Sequence, residues 1–129
     1  MVERRTREIE LVEAAYGELE VSPSLDWLIV KRWPLEAGWN KRETAVLVLI
    51  PTGYPVTPPD NLFTDADLCL ADGRAPGNAE GTIDHNGRRW RQFSYHVDAG
   101  DWQPHADPLK GHNILTFLEG ARQRLTEAN

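Results

Sequence analysis

The chain has one cysteine, Cys69, and one methionine in 129 residues. A single thiol rules out a disulfide within the chain and a cysteine-rich zinc site, and it is consistent with a reducing compartment. No apolar run approaches membrane-spanning length, and the opening segment MVERRTREIELVE lacks the apolar stretch of a secretory signal. A cytoplasmic protein with no membrane partner is therefore expected. Basic residues are not in excess: 14 Lys and Arg stand against 20 Asp and Glu, for a formal net charge of −6. Phosphate recognition needs a dense Lys/Arg surface, so nucleic acid is excluded as a partner class, whereas an acidic balance suits a protein that meets other proteins. With 40% hydrophobic residues, the chain can fill one core of ordinary size but not two, and a single domain over residues 1–129 is expected.

Near the start, Ile9, Leu11, Val12, Ala15 and Tyr16 recur at helical spacing between charged residues, which predicts a surface helix stopped by Gly17. Residues 25–33, rich in β-branched and aromatic side chains, predict a strand. The unbroken apolar run 44–50 predicts the central strand of an antiparallel sheet, reached through a turn at residues 37–40. Pro51, Pro55, Pro58 and Pro59 cannot continue a central strand, so residues 51–59 must be an ordered turning segment. Residues 61–63 and 67–70 suggest one more short strand with a break, and residues 72–88, without periodicity, read as a long loop. Ile114, Phe117, Leu118, Ala121 and Leu125 then predict a second amphipathic helix. The order predicts an α+β fold with helices outside an antiparallel sheet.

The segment LIPTGYPVTPPD at residues 49–60 resembles the strand and proline-rich turn of ubiquitin-conjugating enzymes. With WPLEAGWN at 33–40, WRQFSYH at 90–96, Trp102 and Asp107, the chain more narrowly resembles the prokaryotic family E branch of that superfamily. The resemblance implies the UBC-like fold: an N-terminal helix, a four-stranded antiparallel meander, the proline-rich turn, the long loop and a C-terminal helix. It also implies a bacterial ubiquitin-like modification pathway, with defence against phage as a setting. The implied partners are a ubiquitin-like protein, an adenylating (ThiF-like) activating enzyme and a metal-dependent deconjugating peptidase.

Acyl transfer requires an exposed thiol or hydroxyl and a donor for the developing oxyanion. The position that the resemblance gives to the catalytic cysteine falls at Ala79-Glu80-Gly81, where there is no thiol, and the family's His-Pro-Asn motif is approximated only by Asp84-His85-Asn86. Three candidates remain. Cys69 is either a buried small hydrophobe or a reactive thiol; alternation with Leu68 and Leu70 would turn it to the opposite face. Ser94 and His96, two apart in an extended segment, project to one side and suit a hydroxyl–imidazole pair, although no third member of a triad is legible. On the bland alternative, Trp90 and Phe93 fill the core while Ser94 and His96 satisfy backbone groups. His85, His96, His105 and His112 form no HExxH or His-x-His pattern, so neither a metal nor another cofactor is expected. Two functions stay open: a conjugating enzyme with a non-standard site built on His96, Ser94 and Cys69, or a non-catalytic variant that binds the ubiquitin-like protein or activating enzyme as a scaffold.

Overall fold

The computed structural model describes residues 2–98 and 100–128. Helix α1 (Val2–Tyr16) leads into strands β1 (Leu19–Val21), β2 (Trp27–Pro34), β3 (Glu43–Leu49) and β4 (Leu62–Asp65), then β5 (Ala79–His85), β6 (Arg88–Phe93) and helix α2 (Ile114–Ala128). The fold is α+β, with one antiparallel sheet and a helix at each end of the chain. Among the described residues the sheet has six strands in the order β1-β2-β3-β4-β6-β5. A four-stranded meander, β1 to β4, is extended by a hairpin that folds back so that β6 lies beside β4.

That hairpin corrects the reading of residues 72–88 as a loop. Asn86 and Gly87 both take positive φ, 52° and 78°, the pairing that a two-residue hairpin turn with the twist of its strands requires. The Asn-Gly signal stands in the sequence; β5 was missed because it is an edge strand that presents only Ala79 and Ile83 as apolar side chains. Residues 67–69 are likewise no strand: the chain turns after β4, and only Leu70 rejoins the ladder through an isolated bridge to Trp39.

Alternation along the strands makes two clusters. Leu28, Val30, Val46, Val48, Leu62 and Phe93 face the helices and meet Val12 of α1 and Ile114, Phe117, Leu118, Ala121 and Leu125 of α2. The opposite face gathers Ile29, Ala45, Leu47, Phe63 and Trp90, a cluster that no helical residue joins. All five apolar positions predicted for the C-terminal helix are buried. In α1 the prediction is only partly right, since Ala15 is exposed and the fully buried positions are Val12 and Glu8, one turn apart.

Glu8 is 0% exposed and acts as a hub. Its carboxylate accepts from Arg4 Nε at 2.8 Å, from the Tyr54 hydroxyl, and from the backbone N–H of Ile114 at 2.7 Å. Ile114 is the first residue of α2, so the carboxylate lies at the positive end of that helix, where an anion is favoured. The same turn is closed by Asn113 and Thr116, each side chain accepting from the other's backbone N–H at 2.9 Å. Tyr54 anchors the proline-rich turn, which is ordered as expected, and Trp102 Nε1 donates to Pro55 O at 2.7 Å.

Burial, and then the adjoining Glu8 carboxylate, raise the Tyr54 phenol above its ordinary value of 10.0. A raised folded-state value stabilises the fold fully below the unfolded-state value, and that contribution is lost as pH rises toward the folded-state one. Unfolding free energy is therefore expected to hold level up to about pH 10 and then to fall by about 1.4 kcal/mol per pH unit for this proton. Urea titrations between about pH 9 and 11 should show that slope in the native chain and a flatter one in Tyr54→Phe. Equal slopes would mean that Tyr54 ionises freely in the folded state.

Candidate functional site

β6 ends at Phe93, and residues 94–98 follow outside any helix or strand. Pairing persists a little past the strand: Ser94 N–H donates to Asn78 O at 2.8 Å, and Asn61 N–H donates to Tyr95 O at 2.7 Å. In this stretch Ser94 and His96 point to one side, as their spacing predicts. Ser94 Oγ lies 3.2 Å from His96 Nε2, and His96 Nδ1 lies 2.6 Å from Asp60 Oδ1. A carboxylate can only accept, so in the neutral imidazole the Nδ1 proton is donated to Asp60 and Nε2 is left to accept from the Ser94 hydroxyl. The three side chains form a serine–histidine–aspartate relay, in which the carboxylate fixes the tautomer and Nε2 can take the hydroxyl proton.

Asp60 is the third member that the sequence did not reveal. It directly follows buried Pro59 at the close of the proline-rich turn, 36 positions from His96, and neither periodicity nor motif connects the two. Asn61 holds the neighbouring segment as well, its Oδ1 accepting from Tyr95 N–H at 3.4 Å. From the helical side, Arg124 Nε donates to Ser94 O at 2.8 Å. Beside the relay a cleft of about 360 Å³ runs along α2 between His96 and Arg124. The His96 and Asp60 side chains are 61% and 64% exposed, so the relay is open to a large partner rather than enclosed in a pocket.

Trp90 and Phe93 do fill the core, but Ser94 and His96 side chains bond to each other and to Asp60, not to backbone groups. Cys69 is elsewhere in the bonding pattern. Leu68 and Leu70 beside it are buried while Cys69 is half-exposed, and Asn40 grips its backbone: Cys69 N–H donates to Asn40 Oδ1 at 3.0 Å, and Asn40 N–H donates to Cys69 O at 2.9 Å. Among the described residues it shares no hydrogen bond with Ser94, His96 or Asp60. His105 and His112 accept backbone N–H groups from Asp107 and Gln103, and His85 sits edge-on to Trp27. No group of three or more His, Cys, Asp or Glu among the described residues could hold a metal ion, and no helix among them is long and apolar enough to cross a membrane.

No curated protein and no solved structure matches the chain. The model of one family, described as prokaryotic E2 family E, matches residues 6–125, a span that contains the proline-rich turn, the relay and both helix faces of the core. On a match across nearly its whole length, this chain belongs to prokaryotic E2 family E, a family of ubiquitin-conjugating-enzyme-like proteins.

Proposed function

We propose that this protein is a single-domain acyl carrier of UBC-like fold, which receives a ubiquitin-like protein from an adenylating activating enzyme and holds it on Ser94. Ser94 Oγ attacks the activated C-terminal carbonyl, His96 Nε2 takes the hydroxyl proton, and the activating enzyme's thiolate or AMP departs, the proton passing from His96 to the thiolate or, with AMP, to solvent. In the second step an amine or hydroxyl of the target attacks the oxyester, His96 Nε2 takes the proton that this nucleophile sheds, and it delivers that proton to Ser94 Oγ as the ester C–O bond breaks. The observation that carries this reading is the Asp60–His96–Ser94 relay, with separations of 2.6 and 3.2 Å, inside a chain of this family. Its exposure fits an acyl donor that is itself a folded protein. A groove of about 490 Å³ beside α1, flanked by Val56 at 81% exposed, supports a protein partner at a second place on the surface. The cytoplasm, where ATP is at hand, is the proposed compartment, and a deconjugating metallopeptidase completes the proposed pathway.

The scaffold reading has one observation in its favour: residues 79–81, where the resemblance puts the catalytic thiol, form an edge strand with no nucleophile. Intact-mass analysis separates the two. Mixed with its activating enzyme, ubiquitin-like protein and ATP, the chain is expected to gain the mass of one acyl group in a bond labile to hydroxylamine. That adduct should be absent in Ser94→Ala and retained in Cys69→Ala. An adduct released by thiols and missing from Cys69→Ala would transfer the chemistry to Cys69. Binding with no adduct would favour the scaffold.

A further inference from the structure

Gly120 lies in the interior of α2, where glycine is unfavourable relative to alanine. The space it leaves is occupied. A Cβ at this position would stand 2.1 Å from Tyr95 Oη and 3.2 Å from Tyr95 Cζ, so any side chain drives the tyrosine away from the helix. The Tyr95 hydroxyl donates to Phe117 O at 3.3 Å, one turn back, and its ring packs on Phe117 at 5.0 Å between centroids. One turn on, Arg124 donates to Ser94 O. Three successive positions on one face of α2 thus hold two consecutive residues of the segment after β6, while Asn61 bonds Tyr95 from the β4 side.

Tyr95 stands between Ser94 and His96, and its side chain points to the face opposite theirs. Its depth against α2 therefore sets how far the two flanking side chains reach toward Asp60. We infer that Gly120 is a positioning residue: its missing side chain seats Tyr95 on α2, and with Arg124 this holds Ser94 and His96 in register with Asp60. The functional weight of that clamp rests on the relay being the acyl-carrier site proposed above. The clamp itself is a matter of geometry and can be read in the free protein.

The test is nitrogen-15 NMR of the His96 imidazole in the isolated chain, paired with the rate of adduct formation. Native protein should show the neutral ring protonated at Nδ1, because Asp60 accepts there, whereas a free imidazole in water prefers its proton on Nε2. Gly120→Ala should lose the Nδ1–H signature and form adduct at least tenfold more slowly. Gly120→Ala with Tyr95→Phe, which removes the atom in closest conflict, should recover both. Arg124→Met adds no bulk and is expected to weaken the signature in the same direction, so it decides the matter if Gly120→Ala fails to fold. A folded Gly120→Ala or Arg124→Met chain with the native signature overturns the inference, whatever the adduct assay gives. A native chain with the Nδ1–H signature but no adduct instead removes the acyl-carrier reading and leaves the clamp in place.

Discussion

His96→Ala is expected to slow acylation of Ser94 by about two to four orders of magnitude, the usual contribution of a positioned general base. Nε2, 3.2 Å from Ser94 Oγ, is the one acceptor that this arrangement offers the hydroxyl proton. Without it the serine must react as a neutral alcohol. Asp60→Asn should cost less, on the order of tenfold. In enclosed triads the same replacement costs far more, because the fixed amide holds the imidazole in the wrong tautomer. Here both side chains are more than half exposed, so water competes with the amide for the ring and the wrong tautomer is only weakly enforced. Neither replacement should move the unfolding midpoint noticeably, since an exposed charge-assisted hydrogen bond contributes little to stability. Single-turnover loading followed by intact mass, with urea melts of each variant, checks both halves. Loading unaffected by His96→Ala would leave the relay without a catalytic role.

The second large effect concerns the fold. Glu8→Ala should lower the unfolding free energy by about 3–5 kcal/mol, the cost of breaking a buried charged pair by removing one partner. Three donors lose their acceptor together: Arg4 Nε, the Tyr54 hydroxyl and the first N–H of α2. Domains of this size have about 5–15 kcal/mol in all, so the loss is a large share of it. Tyr54→Phe removes one donor and leaves the carboxylate with two, and is expected to cost about 1 kcal/mol. In the double-mutant cycle the two losses should fall short of adding, because both act through one network. Urea unfolding with an unchanged slope is the readout. A loss in Glu8→Ala below about 1 kcal/mol would mean that the carboxylate is hydrated in the native state.

Much of this molecule follows from local pattern alone. The C-terminal helix and its five buried positions, the strands within 25–33 and 44–50, and the ordered proline turn each announce themselves within a dozen residues, because periodicity and proline geometry act locally. The family could be recognised for the same reason, since its blocks at 33–40, 49–60 and 90–96 are contiguous stretches of chain. The pairing of Ser94 with His96 needed only the two-residue repeat of an extended backbone. What failed was local pattern with no burial behind it: β5 presents little apolar surface, so a strand looked like a loop although Asn86-Gly87 marked its turn. Glu8 failed in the opposite sense, as a charged residue on a helical stripe whose burial depends on partners 46 and 106 positions away.

The sequence by itself determined the α+β class, the two helices, the ordered turn, the family and the hydroxyl–imidazole pair. Only the tertiary structure decided that Asp60 completes the relay, that Cys69 shares no bond with it, and that Gly120 leaves room for Tyr95. Those three depend on where distant segments come to rest against one another. A hydrogen bond between residues 36 apart, or a gap filled from the far side of a helix, arises from packing and leaves no period or spacing in the chain to be read.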